Sequence, residues 1–151
     1  MRIEEILKTN SAVLPSKKII LNLIYNQNLI NEKFNDVLKP HDLSIEQFNV
    51  LRILKGQKGK PAHMSLIQER MLSKTSNTTR LVDKLLSKEL VNRQVCEENR
   101  RKMEISITQK GHELLESISP LIEEIETLFA QNLTPAEVET FNFLLEKYRS
   151  N

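Results

Sequence analysis

Two groups of side chains between residues 74 and 102 have types and spacing suited to hydrogen-bonding chemistry. Ser76, Asn77, Thr79 and Arg80 place two hydroxyls, an amide and a guanidinium within five consecutive positions. Such groups read base edges in a major groove: a guanidinium pairs with guanine, a carboxamide with adenine, and a hydroxyl with either. Arg100, Arg101 and Lys102 form a second, purely cationic group. A guanidinium there suits a narrow minor groove, which is read through its shape and potential. Lys74, Lys84, Arg93 and Lys102 are spaced around these groups as point charges for phosphates. Catalytic patterns are missing: there is no phosphate-binding glycine loop, no nucleophile elbow and no metal-ligand motif. With three Gly in the chain, a phosphate or dinucleotide cradle is not expected. No enzyme, cofactor or metal is predicted.

The charge distribution agrees. Net formal charge is only +2, but residues 60–110 hold 11 basic against 6 acidic side chains, and residues 111–151 hold 2 against 8. A basic middle before an acidic end fits a polyanion partner at the middle. All five Phe and both Tyr lie outside residues 60–110. Single-strand binders stack bases on aromatic rings, so a basic stretch without them points to duplex DNA. One cysteine excludes an internal disulfide framework. No apolar run reaches a membrane-spanning length, and the N-terminal residues lack an apolar signal core, so no membrane partner and a cytoplasmic location are expected.

The elements that must position these side chains follow from periodicity and caps. A short helix is predicted near residues 3–8, and Pro15 is read as an interruption. Helical spacing follows from Lys17 to Leu38, through Ile20, Leu23, Ile24, Ile30, Phe34, Val37 and Leu38. Ser44 with Gln47 is a capping-box pattern opening the next helix. Residues 56–61 read as a loop, and Ser65 to Leu72 as a short helix with another Ser-x-x-Gln start. Ser73–Ser76 is a polar break, and Thr78, Leu81, Val82 and Leu85 mark a helix reaching Lys88. LVNRQV and MEISI alternate and read as a hairpin, with Cys96–Lys102 as its loop. Thr108 caps a long helix containing Pro120, expected to kink it. Thr134-Pro-Ala-Glu137 starts a last helix with Val138, Phe141, Leu144, Leu145 and Tyr148 on its apolar face.

Helix, tight polar turn, helix and hairpin make a winged helix-turn-helix. Its second helix must show short polar groups at its N-terminal end and an apolar back, here Leu81, Val82 and Leu85. SNTTRLVDKLLSKELVNR (76–93) and ENRRKMEISITQKGHELL (98–115) resemble the MarR family of bacterial transcriptional regulators. The matching positions are Ser76, Thr79, Arg80, Leu81, Val82, Asp83 and Leu85 in the recognition helix, Arg101 at the wing tip, and Thr108 with Gly111 before the long helix. The resemblance implies a mainly α fold: a winged helix-turn-helix with a small antiparallel β-hairpin wing, plus N- and C-terminal dimerisation helices. It divides the chain into an N-terminal dimerisation region (1–38), a DNA-binding domain (44–110) and C-terminal dimerisation helices (111–151). It also implies a homodimer on a pseudo-palindromic operator, acting as a repressor relieved by a small-molecule effector. The other reading of the fold is a winged-helix protein-interaction module without DNA binding. The polar and basic character of both groups argues against an apolar protein interface there. The broad apolar stripes of 17–38 and 111–150 exceed what a winged domain needs and themselves argue for a dimer, the alternative being a larger monomeric α-helical core.

Three positions depart from the family pattern. Asn99 stands where an Asp usually pairs with an arginine and fixes the wing. Glu89 stands where Gly usually ends the recognition helix, so a different ending is expected. Thr78 replaces an apolar residue, with its hydroxyl expected to bond back to the helix backbone. The resemblance places an effector site between dimer helices and winged domain, where Phe34, Leu38, Phe48 and Leu115 are candidate lining residues, though equally ordinary core. Some family members bind zinc near that junction, where His41 and His112 would lie. These and His63 are too scattered for a ligand signature and are read as surface or capping residues. Cys96 is read as a small hairpin side chain; nearby arginines would activate it as a sensor, but Glu97 and Glu98 oppose them.

Overall fold

The elements observed in the computed structural model, which describes residues 2–9, 11–96, 99 and 102–150, follow the sequence order closely. They are α1 (Ile3–Ile6), α2 (Pro15–Leu38), a 3₁₀ turn (Lys39–His41), α3 (Ile45–Lys55), β1 (Ala62–His63), α4 (Met64–Arg70), α5 (Thr78–Ser87), β2 (Val91–Val95), β3 (Met103–Ile107), α6 (Gln109–Ala130) and α7 (Pro135–Arg149). The fold is mainly helical with one small antiparallel sheet, as expected.

Local chemistry explains most boundaries. Pro15 does not interrupt α2 but opens it at the first helical position, where a missing N–H costs nothing. Ser44 Oγ accepts from the Gln47 N–H and Gln47 Oε1 from the Ser44 N–H, closing the capping box of α3. Thr108 Oγ1 accepts from the Gly111 N–H at 3.0 Å and starts α6, which runs on through Pro120. Thr134 and Glu137 cap α7 reciprocally. The box expected at Ser65 is absent: His63 holds the N-cap of α4 and Ser65 lies inside the helix.

A third strand joins the hairpin. The sheet order is β1-β3-β2, with Ala62 opposite Ile105 and His63 opposite Glu104 on one side of β3. On the other side Val91 faces Ile107 and Gln94 faces Glu104. Two residues are too short a run to show alternation, so the loop expected to end at Pro61 gave no sign of a strand.

A single apolar cluster fills the interior. It joins Leu38 of α2, Phe48, Leu51 and Leu54 of α3, Ile67 of α4, Val82 and Leu85 of α5, Ile105 of β3, and Leu115, Ile118 and Ile122 of α6. The long α6 thus docks on both α2 and the winged part of the chain. Among the described residues α7 buries no side chain. No described helix is long and apolar enough to cross a membrane.

Candidate nucleic-acid interface

The interface is built on α4, the polar turn after it, and α5. Val82 and Leu85 are buried and Leu81 packs against the same core, which anchors one face of α5. Thr79, Arg80 and Lys84 are exposed on the other side and Ser76 is half-buried in the turn. Neither Arg80 nor Lys84 has an ion-pair partner among the described residues. The sequence-predicted reading face is therefore presented outward as a unit.

Asn77 has a different task. Its Oδ1 accepts from the Arg80 N–H at 3.1 Å, making it the N-cap of α5. Its amide oxygen is thus engaged with backbone. Thr78 is buried at 3% exposure, and its hydroxyl does not bond back to its own helix as expected. It donates to Gln68 Oε1 on α4. Gln68 Nε2 in turn donates to the Lys74 carbonyl at 3.2 Å. One glutamine side chain therefore holds α4, the turn and α5 in register. Lys74 Nζ donates to the Glu69 carbonyl, so its ammonium is folded back on α4.

The wing is tied to α5 by a salt bridge. Arg93 Nη1 on β2 lies 2.8 Å from Asp83 Oδ1 on α5. Arg93, expected to contact phosphate, is thereby committed to an intramolecular partner. The left-handed end of α5 is also kept, contrary to the expectation from Glu89. Glu89 sits at φ +60°. Its N–H bonds to Leu86 O at 2.9 Å and that of Leu90 to Leu85 O at 3.0 Å, the paired pattern of a Schellman ending. Thr108 Oγ1 donates to Glu89 O, and Lys110 Nζ donates to Lys88 O, so the next helix covers the exposed carbonyls.

At the wing tip, the Lys102 N–H bonds to Asn99 O at 2.8 Å and the Cys96 N–H to Lys102 O at 3.0 Å, closing the loop around an exposed Lys102. Arg100 and Arg101 lie outside the described residues. An open cleft separates this part of the wing from α5, lined by His63, Met64, Ser65, Thr79, Arg93, Lys102 and Met103. His63, Met64, Ser65 and Met103 were not anticipated there; β1 and the start of α4 bring the first three.

The candidate effector residues fall elsewhere. Leu38, Phe48 and Leu115 are at most 1% exposed in the central core, and Phe34 packs against it. The structure brings the four together as packing, with no surface offered by the three buried ones. His41 and His112 enter no cluster of metal-ligating groups among the described residues.

Comparison with known proteins places this geometry. Residues 43–103 match the MarR family profile. The chain is 31% identical over 134 residues to the HTH-type transcriptional regulator MhqR of Bacillus subtilis, covering 88% of this chain and 89% of MhqR. It is 27% identical over 108 residues to the transcriptional repressor MprA of Escherichia coli, and that match spans 61% of the length of MprA. Among solved structures, BpsR of Bordetella bronchiseptica, whose DNA binding is regulated by 6-hydroxynicotinic acid, superposes with a TM-score of 0.80 at 20% identity. That match covers 93% of this chain and 99% of BpsR, and at that identity it speaks to the fold. Winged architecture, family profile and a relative matched along nearly its whole length agree: the chain belongs to the MarR family of transcriptional regulators.

Proposed function

We propose that the chain is a sequence-specific double-stranded DNA-binding regulator that acts as a homodimeric repressor and is released by a small-molecule effector. The observation that carries this reading is the outward face of α5. Thr79, Arg80 and Lys84 project from a helix whose opposite side is buried, with Ser76 in the turn before it, its start fixed by Asn77 and Gln68 and its body tied to the wing by Asp83–Arg93. Preorganised side chains of this kind suit base edges, because their position is fixed before contact. Base readout is assigned to Ser76, Thr79 and Arg80; Asn77 serves them as the cap. Lys84 and Lys102 contact phosphates, and Arg101 with Arg100 enters the minor groove. Lys74 and Arg93 each hold an intramolecular partner here and keep further N–H donors for a phosphate.

Repression follows the relatives: MprA is a transcriptional repressor. Effector control follows BpsR, whose DNA binding responds to an aromatic acid. The direct test is selection of bound sequences from a random duplex library by the full chain. A pseudo-palindrome with half-sites about 34 Å apart, one helical turn, is the expected product. Affinity for it should fall steeply with salt through counterion release. Failure of a folded, low-salt sample to enrich any duplex would overturn the reading in favour of a protein-contact winged helix.

A further inference from the structure

The sheet register gathers three metal-ligating side chains that are far apart in sequence. His63 on β1 lies directly opposite Glu104 on β3, and Gln94 on β2 lies opposite Glu104 from the other side. Cys96 follows Gln94 by two residues and continues the ladder through its N–H bond to Lys102 O. Side chains two apart on a strand share a face. His63, Glu104 and Cys96 therefore converge, and their ligand atoms all lie within 4.8 Å of one another. The Cys96 side chain is buried. His63 Nδ1 is also buried and has no hydrogen-bond partner among the described residues. An orphaned buried ring nitrogen is costly unless something outside the chain satisfies it.

We propose that His63, Cys96 and Glu104 form a transition-metal site at the loop-side end of the wing's sheet, taking Zn²⁺ or another borderline divalent ion of similar ligand preference. Imidazole, thiolate and carboxylate together suit zinc and its neighbours and exclude magnesium and calcium, which require oxygen ligands. Gln94 Nε2 donates to Glu104 Oε2 at 3.3 Å, which orients the carboxylate as outer partners of metal ligands do. On binding, the Cys96 thiol releases its proton to solvent and the thiolate coordinates. The three ligands come from β1, β3 and the residue after β2, so one ion would tie all three strands together at the loop-side end of the sheet. This cluster includes neither His41 nor His112.

The test uses the full, metal-stripped chain titrated with Co²⁺ alone. One equivalent should bind per chain and produce a thiolate-to-cobalt charge-transfer band that Zn²⁺ abolishes by displacement. Cys96→Ser should remove the band, and His63→Gln and Glu104→Gln should each weaken Co²⁺ binding by roughly 100-fold or more, above the loss typical of an outer partner. His41→Gln with His112→Gln should leave the titration unchanged. Zn²⁺ should raise the melting temperature of the wild type and not that of His63→Gln. Circular dichroism checks that each variant folds; if Cys96→Ser does not, His63→Gln decides alone. Absence of a thiolate band in the wild type, or undiminished binding in His63→Gln, would overturn the site. None of these readouts involves DNA.

Discussion

Glu89 shows how tertiary demands override a local preference. Left-handed backbone costs an L-residue about 1–2 kcal/mol, and glycine avoids that cost. The chain accepts it because α5 must end where Leu90 turns into the core and Val91 begins β2, both nearly fully buried. The Lys110 contacts to Lys88 O and Glu89 Oε2 offset part of it. Glu89→Gly should therefore stabilise the fold by about 0.5–1 kcal/mol, after allowing for the greater unfolded-state freedom of glycine and the loss of an exposed ion pair. A denaturant titration measures this; a destabilised variant would mean that the ion pair outweighs the backbone. At the same scale, Arg80→Ala should weaken binding to the selected operator by about 1–3 kcal/mol and relax base preference at one position. Fluorescence anisotropy on operator and single-base variants decides it, and unchanged preference would remove Arg80 from base readout. The exposed residues of this face were legible from type and spacing. The partners of Thr78 and Arg93 were not, because Gln68 and Asp83 lie ten residues away on other elements, and pattern alone does not reveal which polar groups meet.

Helices declare themselves through caps and period, and α3, α6 and α7 begin at the capping residues that the sequence predicts. What the pattern hides is close approach between elements. Gly111 is an example: a Cβ there would lie 2.2 Å from the Leu90 carbonyl oxygen and 2.8 Å from Ile107 Cγ1. Both are closer than any real contact, and the first is rigid backbone. Gly111→Ala should therefore displace the first turn of α6 from the end of α5 and lower the melting temperature, with loss of operator affinity because the wing hangs from the same junction. A variant as stable as the wild type would show that the junction is pliant. At the start of α7, the backbone N–H of Thr134 and then its hydroxyl hold the Glu137 carboxyl below its ordinary value of 4.5. A group whose folded value is depressed contributes stability above its ordinary value and loses it as pH falls through the folded value. Amide exchange in the first turn of α7 should accelerate over that acid range in the wild type. Glu137→Gln should show no such step; if it does, another group governs the fraying. The two-residue β1 and the metal-ligand cluster it completes were illegible for the same reason: a register is a relation between strands, and none of the three strands states it alone.

The whole molecule leaves one face unfinished. On α7, Phe141, Leu144 and Tyr148 fall three and four residues apart on one stripe and are 52%, 52% and 43% exposed, while no residue of that helix is buried. A 15-residue helix without tertiary packing is only marginally stable in water. Ile20 and Ile24 of α2 and Leu128 and Phe129 of α6 are exposed as well, so most of the exposed apolar surface lies on the terminal helices, with Leu72 before α5 and Val95 on the wing as isolated exceptions. Exposed apolar residues clustered in this way mark an interface. In the proposed homodimer a second copy would satisfy them through a two-fold contact in which the same patch serves both chains. Such a contact would also set the separation of the two α5 helices, which makes the dimer interface and the operator spacing one property of the proposed dimer. Phe141→Glu combined with Leu144→Glu should yield a monomer by sedimentation equilibrium, with helical content reduced by about the length of α7. Operator affinity should fall to that of a single half-site, while the wing and α5 remain folded by amide exchange. If the double variant stays dimeric, the contact lies on α2 and α6 instead; if it is monomeric and still binds the full operator as tightly, the two recognition helices do not act together and the two-fold model of readout is wrong.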